Sequence, residues 1–425
     1  MKRLIPRDFY MGWLDALRDR DVIKVLTGVR RCGKSTVMQM FCERLRAGGV
    51  GDSQIASVNF EEIENTKWLA DYEGAYYDIL GRLDLSKPCY VFLDEVQNVR
   101  EFERLVGGLR MKPNVDVYVT GSNAWLLSGE LATLLTGRYM QIHVLPLSFA
   151  EFASAFPATG MDALFADYLE FGGMPGRVGL PAETVPAYLR DIHHGVVEKD
   201  ILTRHRWHSG NQFDRVTQFV FDSVGLPLSA GKIAATLKAD GAEISHNTVS
   251  NYLNALADAF LFYRARRYDV RGRRILVTQE KHYTSDLGFK RAIVGKGMVA
   301  DMGRNFENVI YLELLRRGNR VFTGKSGDRE IDFVAQTPDG RVEYYQAAVT
   351  VRDERTLARE LSAFPASDHH PKTLLTLDPE EGSHNGILQR NALKWLLEAN
   401  PLNHTHLGKQ FSKRIAYPAK GGARL

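Results

Sequence analysis

Cysteine is scarce. The 425 residues hold three, Cys32, Cys42 and Cys89, too few for a disulfide framework or a cysteine-built zinc site. No apolar run approaches the roughly 18 residues of a spanning helix, which excludes an integral membrane protein. The opening MKRLIPRDFYMGW sets Pro6, Arg7 and Asp8 where a secretory leader carries its apolar stretch, so export is not expected. Neither sign of charge dominates: 55 Lys and Arg face 51 Asp and Glu, and a net charge of +4 names no partner by itself. No period of about 20–50 residues repeats. A cytoplasmic protein without membrane contact is expected. The composition that remains is 44% hydrophobic and 25% charged, which excludes collagen-like, coiled-coil and wholly disordered chains. At roughly 150 residues per domain, the length predicts two to four domains.

The first informative segment is DVIKVLTGVRRCGKST, residues 21–36. A β-rich run leads into a glycine loop, and an amphipathic helix pattern follows through Val37, Met38, Phe41 and Leu45. Strand, loop and helix in that order are the context that GxxxxGK[ST] requires. Gly28 and Gly33 let the loop turn its N–H groups inward around phosphate oxygens, and the helix start adds its positive dipole end. The expected nucleotide-binding set is Gly28, Val29, Arg30, Arg31, Cys32, Gly33, Lys34, Ser35 and Thr36. Lys34 reaches the β- and γ-phosphates, and the Ser35 hydroxyl meets magnesium.

A second apolar strand at residues 90–93 ends in Asp94-Glu95. Buried parallel strands deliver their C-terminal residues to the ligand crevice of an open α/β sheet. Asp94 is therefore expected to hold the magnesium and its water shell, and Glu95 to activate the attacking water. A third strand, VDVYVTGSN at residues 115–123, ends in small polar groups. Ser122, with Asn123 second, is expected to sense the γ-phosphate or orient the water. A plain turn or helix cap is the bland alternative there.

These phrases, with SVNFEEIE, LLTGRY, LPLSFAEF and FGGMPGRV, give the chain its resemblance to the AAA+ superfamily. More narrowly, it resembles prokaryotic AAA-family ATPases that carry a C-terminal domain of unknown function. The resemblance implies ATP rather than GTP, with Mg²⁺. It also implies a five-stranded core in which residues 55–60 form an extra strand between the P-loop strand and the Asp-Glu strand, and 141–145 the last strand. In this family an arginine after the sensor strand reaches the nucleotide of a neighbouring subunit. Arg138 is the candidate, and with it comes an expected homo-oligomer.

Beyond residue 152 the sheet signals stop. Amphipathic patterns over 161–172 and 181–200 predict a helical lid, from which Arg177 is a candidate nucleotide contact. His205 and His208 lack a carboxylate at ligand spacing, so a solvated helix end is expected rather than a metal site. Helices over 231–238 and 246–257, N-capped by Ser229 and Ser245, precede a strand over 260–267. That order reads as a winged helix, with His246, Asn247, Ser250 and Asn251 outward. The hairpin carries Arg264, Arg266, Arg267, Arg271, Arg273 and Arg274, opposed only by Asp269. The cluster suits phosphates, but such modules also dock proteins or neighbouring domains.

The last segment is similar to the restriction-endonuclease-like fold. A helix over 303–317, strands at 320–322, 330–335 and 342–349, a helix over 352–363 and a strand at 373–377 follow its layout. In that fold a helical Glu, a strand Asp and an ExK triplet surround magnesium. Glu307 and Asp332 match the first two, while Gln346-Ala347-Ala348 replaces the third. Without the acid and the lysine, nuclease activity is not expected.

The fold class is thus α/β: a P-loop AAA+ parallel sheet (1–152), a helical lid (153–222), a winged helix (223–285), a catalytically degenerate nuclease-like domain (286–400) and a basic polar tail (401–425). The expected function is Mg²⁺-dependent ATP hydrolysis coupled to DNA-binding or partner-binding modules. The alternatives are a nucleotide-gated DNA-binding switch and a slow protein-interaction ATPase.

Overall fold

The computed structural model describes residues 4–121, 137–207, 210–272, 274–295, 301–365 and 368–398. Ser122, Asn123, His208, Arg273 and the basic tail lie outside the described residues. The chain forms two compact units, Pro6–Gly28 with Gly33–Val144, and Leu145–Ala399 with Val29–Cys32. Among the described residues no helix is long and apolar enough to cross a membrane.

The first unit is built on five parallel strands: β1 (Ile23–Thr27), β2 (Ile55–Asn59), β3 (Cys89–Asp94), β4 (Val115–Gly121) and β5 (Tyr139–His143). Their order is β2-β3-β4-β1-β5. Helices α1 (Asp8–Leu17), α2 (Lys34–Ala47), α3 (Tyr72–Gly81) and α4 (Phe102–Arg110) accompany them. Every residue of β1 and β3 is buried, as parallel strands covered on both faces must be. The strand beside β1 on the way to β3 is β4, not residues 55–60. Those form β2, which takes the edge, where its Ser57 is exposed.

A buried charge pair accounts for β4 lying against β1. Lys24, in the middle of β1, is fully buried and ion-paired to Asp116 of β4. The Lys24 ammonium also donates to the Arg20 carbonyl at 2.9 Å, and Asp116 accepts from Tyr118 at 2.8 Å and the Asp19 amide at 2.9 Å. Burial lowers the Lys24 pKa and raises that of Asp116, so desolvation outweighs their mutual attraction on both sides.

The second unit opens with α5 (Phe149–Ser154), α6 (Met161–Phe171) and α7 (Val185–Gly195), then a π-helical turn Val196–Leu202 and α8 (Asn211–Asp222). The segment expected to form a winged helix follows as α9 (Ala230–Ala239), α10 (His246–Asp258) and strands β6 (Pro227–Leu228), β7 (Phe262–Asp269) and β8 (Arg274–Thr284). Ser229 and Ser245 cap α9 and α10 through their hydroxyls. Next come α11 (Leu287–Val294), α12 (Met302–Arg316), β9 (Arg320–Ser326), β10 (Arg329–Gln336), β11 (Val342–Ala348), α13 (Glu354–Ala363) and β12 (Lys372–Thr376). A β-hairpin and helix not foreseen in the sequence complete it: β13 (Gly382–His384), β14 (Ile387–Asn391) and α14 (Ala392–Leu397).

The wing does not stand apart from the C-terminal strands. The nine strands among the described residues of this unit form one sheet, β13-β14-β12-β11-β10-β9-β7-β8-β6, because β7 pairs in parallel with β9. The helices over 161–222 likewise pack around α11, which follows the wing. Asp286, which caps α11, fixes that join. Its buried carboxylate accepts from the amides of Gly288 at 2.8 Å and Gly173 at 2.7 Å, and burial pushes it up to about 6. A Cβ on Gly172 would lie 1.8 Å from this carboxylate. The FGGMP phrase is therefore explained by packing.

Arg177 belongs to the same join rather than to a nucleotide. It is buried, pairs with Asp167 at 3.0 Å, donates to the Gly172 carbonyl at 2.7 Å and lies over the Phe152 ring.

Candidate nucleotide site and acidic cluster

The loop between β1 and α2 has the backbone its glycines promised. Gly28 and Gly33 take positive φ values of 149° and 104°, and Gly33 is the left-handed N-cap of α2, a conformation that favours a residue without Cβ. Arg31 is also left-handed, at φ 68°. Val29 and Cys32 are buried, Arg30 and Thr36 half-buried, and Arg31 and Ser35 exposed. Lys34, at the first position of α2, is buried and donates to the Gly28 carbonyl at 3.0 Å, folding its ammonium over the loop.

Asp94 and Glu95 stand at the end of β3, both buried. Two residues that escaped the sequence reading organise the space around them. The Thr120 hydroxyl at the end of β4 donates to an Asp94 carboxylate oxygen and accepts from the Glu95 amide at 3.0 Å. It thus fixes both acids from the neighbouring strand, and leaves Asp94 a carboxylate with a defined orientation, as a magnesium partner needs. Glu95 itself is left-handed, at φ 51°, and the Gln97 amide donates to its carboxylate. Non-glycine residues held in that region collect at functional sites. A strand-final hydroxyl is the sequence signal for Thr120, two residues before the expected Ser122.

The second missed residue is His143, at the end of β5. Its Nδ1 lies 3.2 Å from the Thr27 hydroxyl, which accepts from the Gln141 amide at 2.8 Å. Burial, followed by the charge of Lys34, pushes the imidazole down to about 4, so it is neutral at pH 7. The strand-end set is therefore Thr27, Thr120 and His143, together with Lys34, Asp94 and Glu95.

Arg138 is exposed just before β5, and its carbonyl accepts from the Ile23 amide at 2.9 Å. In the wing the positive cluster is thinner than its composition suggests. Arg264 is half-buried and donates to Asn254 at 2.7 Å, while Arg266 meets Glu280 at 3.6 Å and Arg274 meets Asp269 at 4.0 Å. Glu280, not only Asp269, opposes the arginines. Arg267 is half-buried and paired across strands with Thr323. Arg266, Arg271 and Arg274 remain exposed, as do His246, Asn247 and Asn251 at the front of α10, with Ser250 half-buried.

Glu307 of α12 and Asp332 of β10, the two positions matched to the restriction-endonuclease-like fold, interact electrostatically. A lysine completes the group from a place the sequence did not suggest. The buried Lys281 of β8 lies 3.4 Å from Glu307 and 2.6 Å from Glu330. Burial works against its ammonium, but Glu307, Asp332 and Glu330 outweigh it and hold the pKa above the usual range. Burial raises Glu307, against the attraction of Lys281; Asp332 is raised by burial and then by the charge of Glu307.

Two family models match the chain: an AAA domain over residues 20–153 and a domain of unknown function (DUF8612) over residues 162–299. The second spans the segment from α6 to α11. An uncharacterised protein of Haemophilus influenzae is 35% identical over 403 residues, covering 93% of this chain and 100% of that protein. The uncharacterised protein MJ1544 of Methanocaldococcus jannaschii is 26% identical over 329 residues, covering 73% of this chain and 71% of its own. Among solved structures, the Walker-type ATPase PABY2304 of Pyrococcus abyssi aligns with a TM-score of 0.49 at 13% identity, covering 68% of this chain and 96% of that one. With its P-loop sheet, its AAA domain and a full-length relative in Haemophilus, the chain belongs to the prokaryotic AAA+ ATPase family with a C-terminal domain of unknown function.

Proposed function

We propose that the protein binds and hydrolyses ATP with Mg²⁺. The observation that carries this is Thr120 bonded to both Asp94 and Glu95 beside a loop whose lysine is already folded inward. Mg²⁺, when bound, supplies charge neutralisation between phosphate oxygens. Ser35 and Asp94 are the residues that would hold it, and their hydroxyl and carboxylate are the hard oxygen donors it takes. The loop amides and Lys34 grip the triphosphate, and Glu95 accepts the proton of the attacking water. The Asp94 carboxylate that Thr120 orients costs little reorganisation when the bond breaks. Lys34→Ala is the direct test. It should abolish ATP retention in a filter or fluorescence binding assay, and hydrolysis with it. Retention at the wild-type level would end this reading.

Arg138 is the proposed trans-acting group, because it is an exposed arginine just before the start of β5, after the sensor strand β4. It places a positive charge on the nucleotide of an adjacent copy, a role that contributes about 10³–10⁵-fold where it operates. Arg138→Ala should keep ATP affinity and lose turnover. An unchanged steady-state rate would remove the argument for an active homo-oligomer.

Turnover is coupled to macromolecular binding through the winged helix. Exposed Arg266, Arg271 and Arg274 with His246, Asn247 and Asn251 suit DNA phosphates and base edges. A protein partner is the second reading, favoured because Arg264, Arg266 and Arg274 have partners within the unit. Hydrolysis rates with and without DNA separate the two, since a motor acting on DNA is stimulated by it.

A further inference from the structure

A catalytic site of the nuclease type needs a metal held by convergent anionic oxygens, and with Lys281 in place the residues here do not fit one. Gln346 stands where an acid is required, and both ends of its amide are engaged: the oxygen accepts from the Asp332 amide at 3.0 Å and the nitrogen donates to Glu360 at 2.9 Å. One oxygen of Asp332 accepts from the Ala347 amide at 2.9 Å. Among the described residues no three acidic, imidazole or thiol side chains converge as a metal cage. The carboxylates nevertheless face a cation. It is the ammonium of Lys281, buried between Glu307 and Glu330, with the Tyr283 hydroxyl donating to the same Glu307 oxygen at 3.4 Å.

We propose that Lys281 occupies the place of the divalent cation, so that this module is an acidic pocket closed by an internal ammonium. The charge logic favours this. Carboxylates out of water repel one another and need a counter-charge within a few ångströms. A lysine delivered on β8 supplies it permanently, where a metal would exchange with solvent. It also blocks the position from which a bound metal would meet a phosphate. Because β8 belongs to the wing, the ammonium ties the wing ionically to α12 and β10 as well as through the sheet.

Thermal unfolding of the full chain tests the proposal, with nucleotide left out and with either excess EDTA or millimolar Mn²⁺ present. Wild-type protein should unfold at the same temperature in both. Lys281→Met leaves the carboxylates without a cation and should unfold several degrees lower, with Mn²⁺ recovering most of the loss. Lys281→Met combined with Asp332→Asn should unfold low and ignore Mn²⁺. A single variant with an unchanged midpoint, or a lowered midpoint that Mn²⁺ does not raise, overturns the proposal. If Lys281→Met does not fold, Mn²⁺ titration of wild-type and Asp332→Asn proteins decides. A Mn²⁺ site that Asp332→Asn removes shows a metal bound beside Lys281 and overturns the proposal; the absence of such a site supports it.

Discussion

Glu95→Gln should leave ATP bound and lower its turnover by about 10²–10⁴-fold, the usual contribution of a positioned general base. Glutamine is nearly the same shape, so it keeps the Gln97 contact and the amide bond to Thr120. What it loses is the ability to accept a proton. Binding depends on the loop amides and Lys34, which the substitution does not touch, so affinity and chemistry should separate cleanly. Single-turnover hydrolysis alongside equilibrium ATP binding measures the two. A Glu95→Gln rate near wild type would assign the water to another group, and the αL backbone at Glu95 would then need a different explanation. Loss of binding as well as rate would mean that the carboxylate holds the loop together, not the water.

Lys24→Met should destabilise the first unit by about 3–5 kcal/mol, because it strands the Asp116 carboxylate in a dry sheet. The pair itself is not the source of stability. Both partners are shifted toward their neutral forms by burial, so their attraction does not repay their desolvation. Removing one charge still costs more than removing both. Adding Asp116→Asn to Lys24→Met leaves an amide oxygen that can accept from Tyr118 and the Asp19 backbone in place of the carboxylate. The double variant should therefore be more stable than Lys24→Met alone. Urea unfolding followed by a probe in the first unit gives the order. A double variant as unstable as the sum of the singles would show that the two charges do not interact.

Much of the first unit was legible because its signals are local. GVRRCGKST, FLDE and VDVYVTG each carry a strand with its ligand-facing end, and β1, β3, β4 and α2 lie where those phrases place them. Strand order was less legible, since β2 and β4 have similar patterns. What distinguishes them is a contact between Lys24 and Asp116, 92 residues apart. Thr120 and His143 were missed for the same reason: a hydroxyl and an imidazole at strand ends acquire meaning only from the strands beside them. The wing arginines show the converse. Six guanidiniums in eleven residues look like a free patch, yet Asn254 and Glu280 take up two of them from segments the run does not contain. Lys281 was illegible because the nuclease-like pattern looks for its lysine two residues beyond Gln346, whereas this one comes from β8.

The pairing of β7 with β9, through Arg267 against Thr323 and Tyr268 against Gly324, determines how force travels in the second unit. A DNA-reading hairpin tethered by a flexible strap can swivel and release its cargo without disturbing anything else. Here a pull on α10 passes through main-chain hydrogen bonds into a nine-strand plate. Under the coupling proposed above, a partner bound at α10 therefore rides with that plate as a single body.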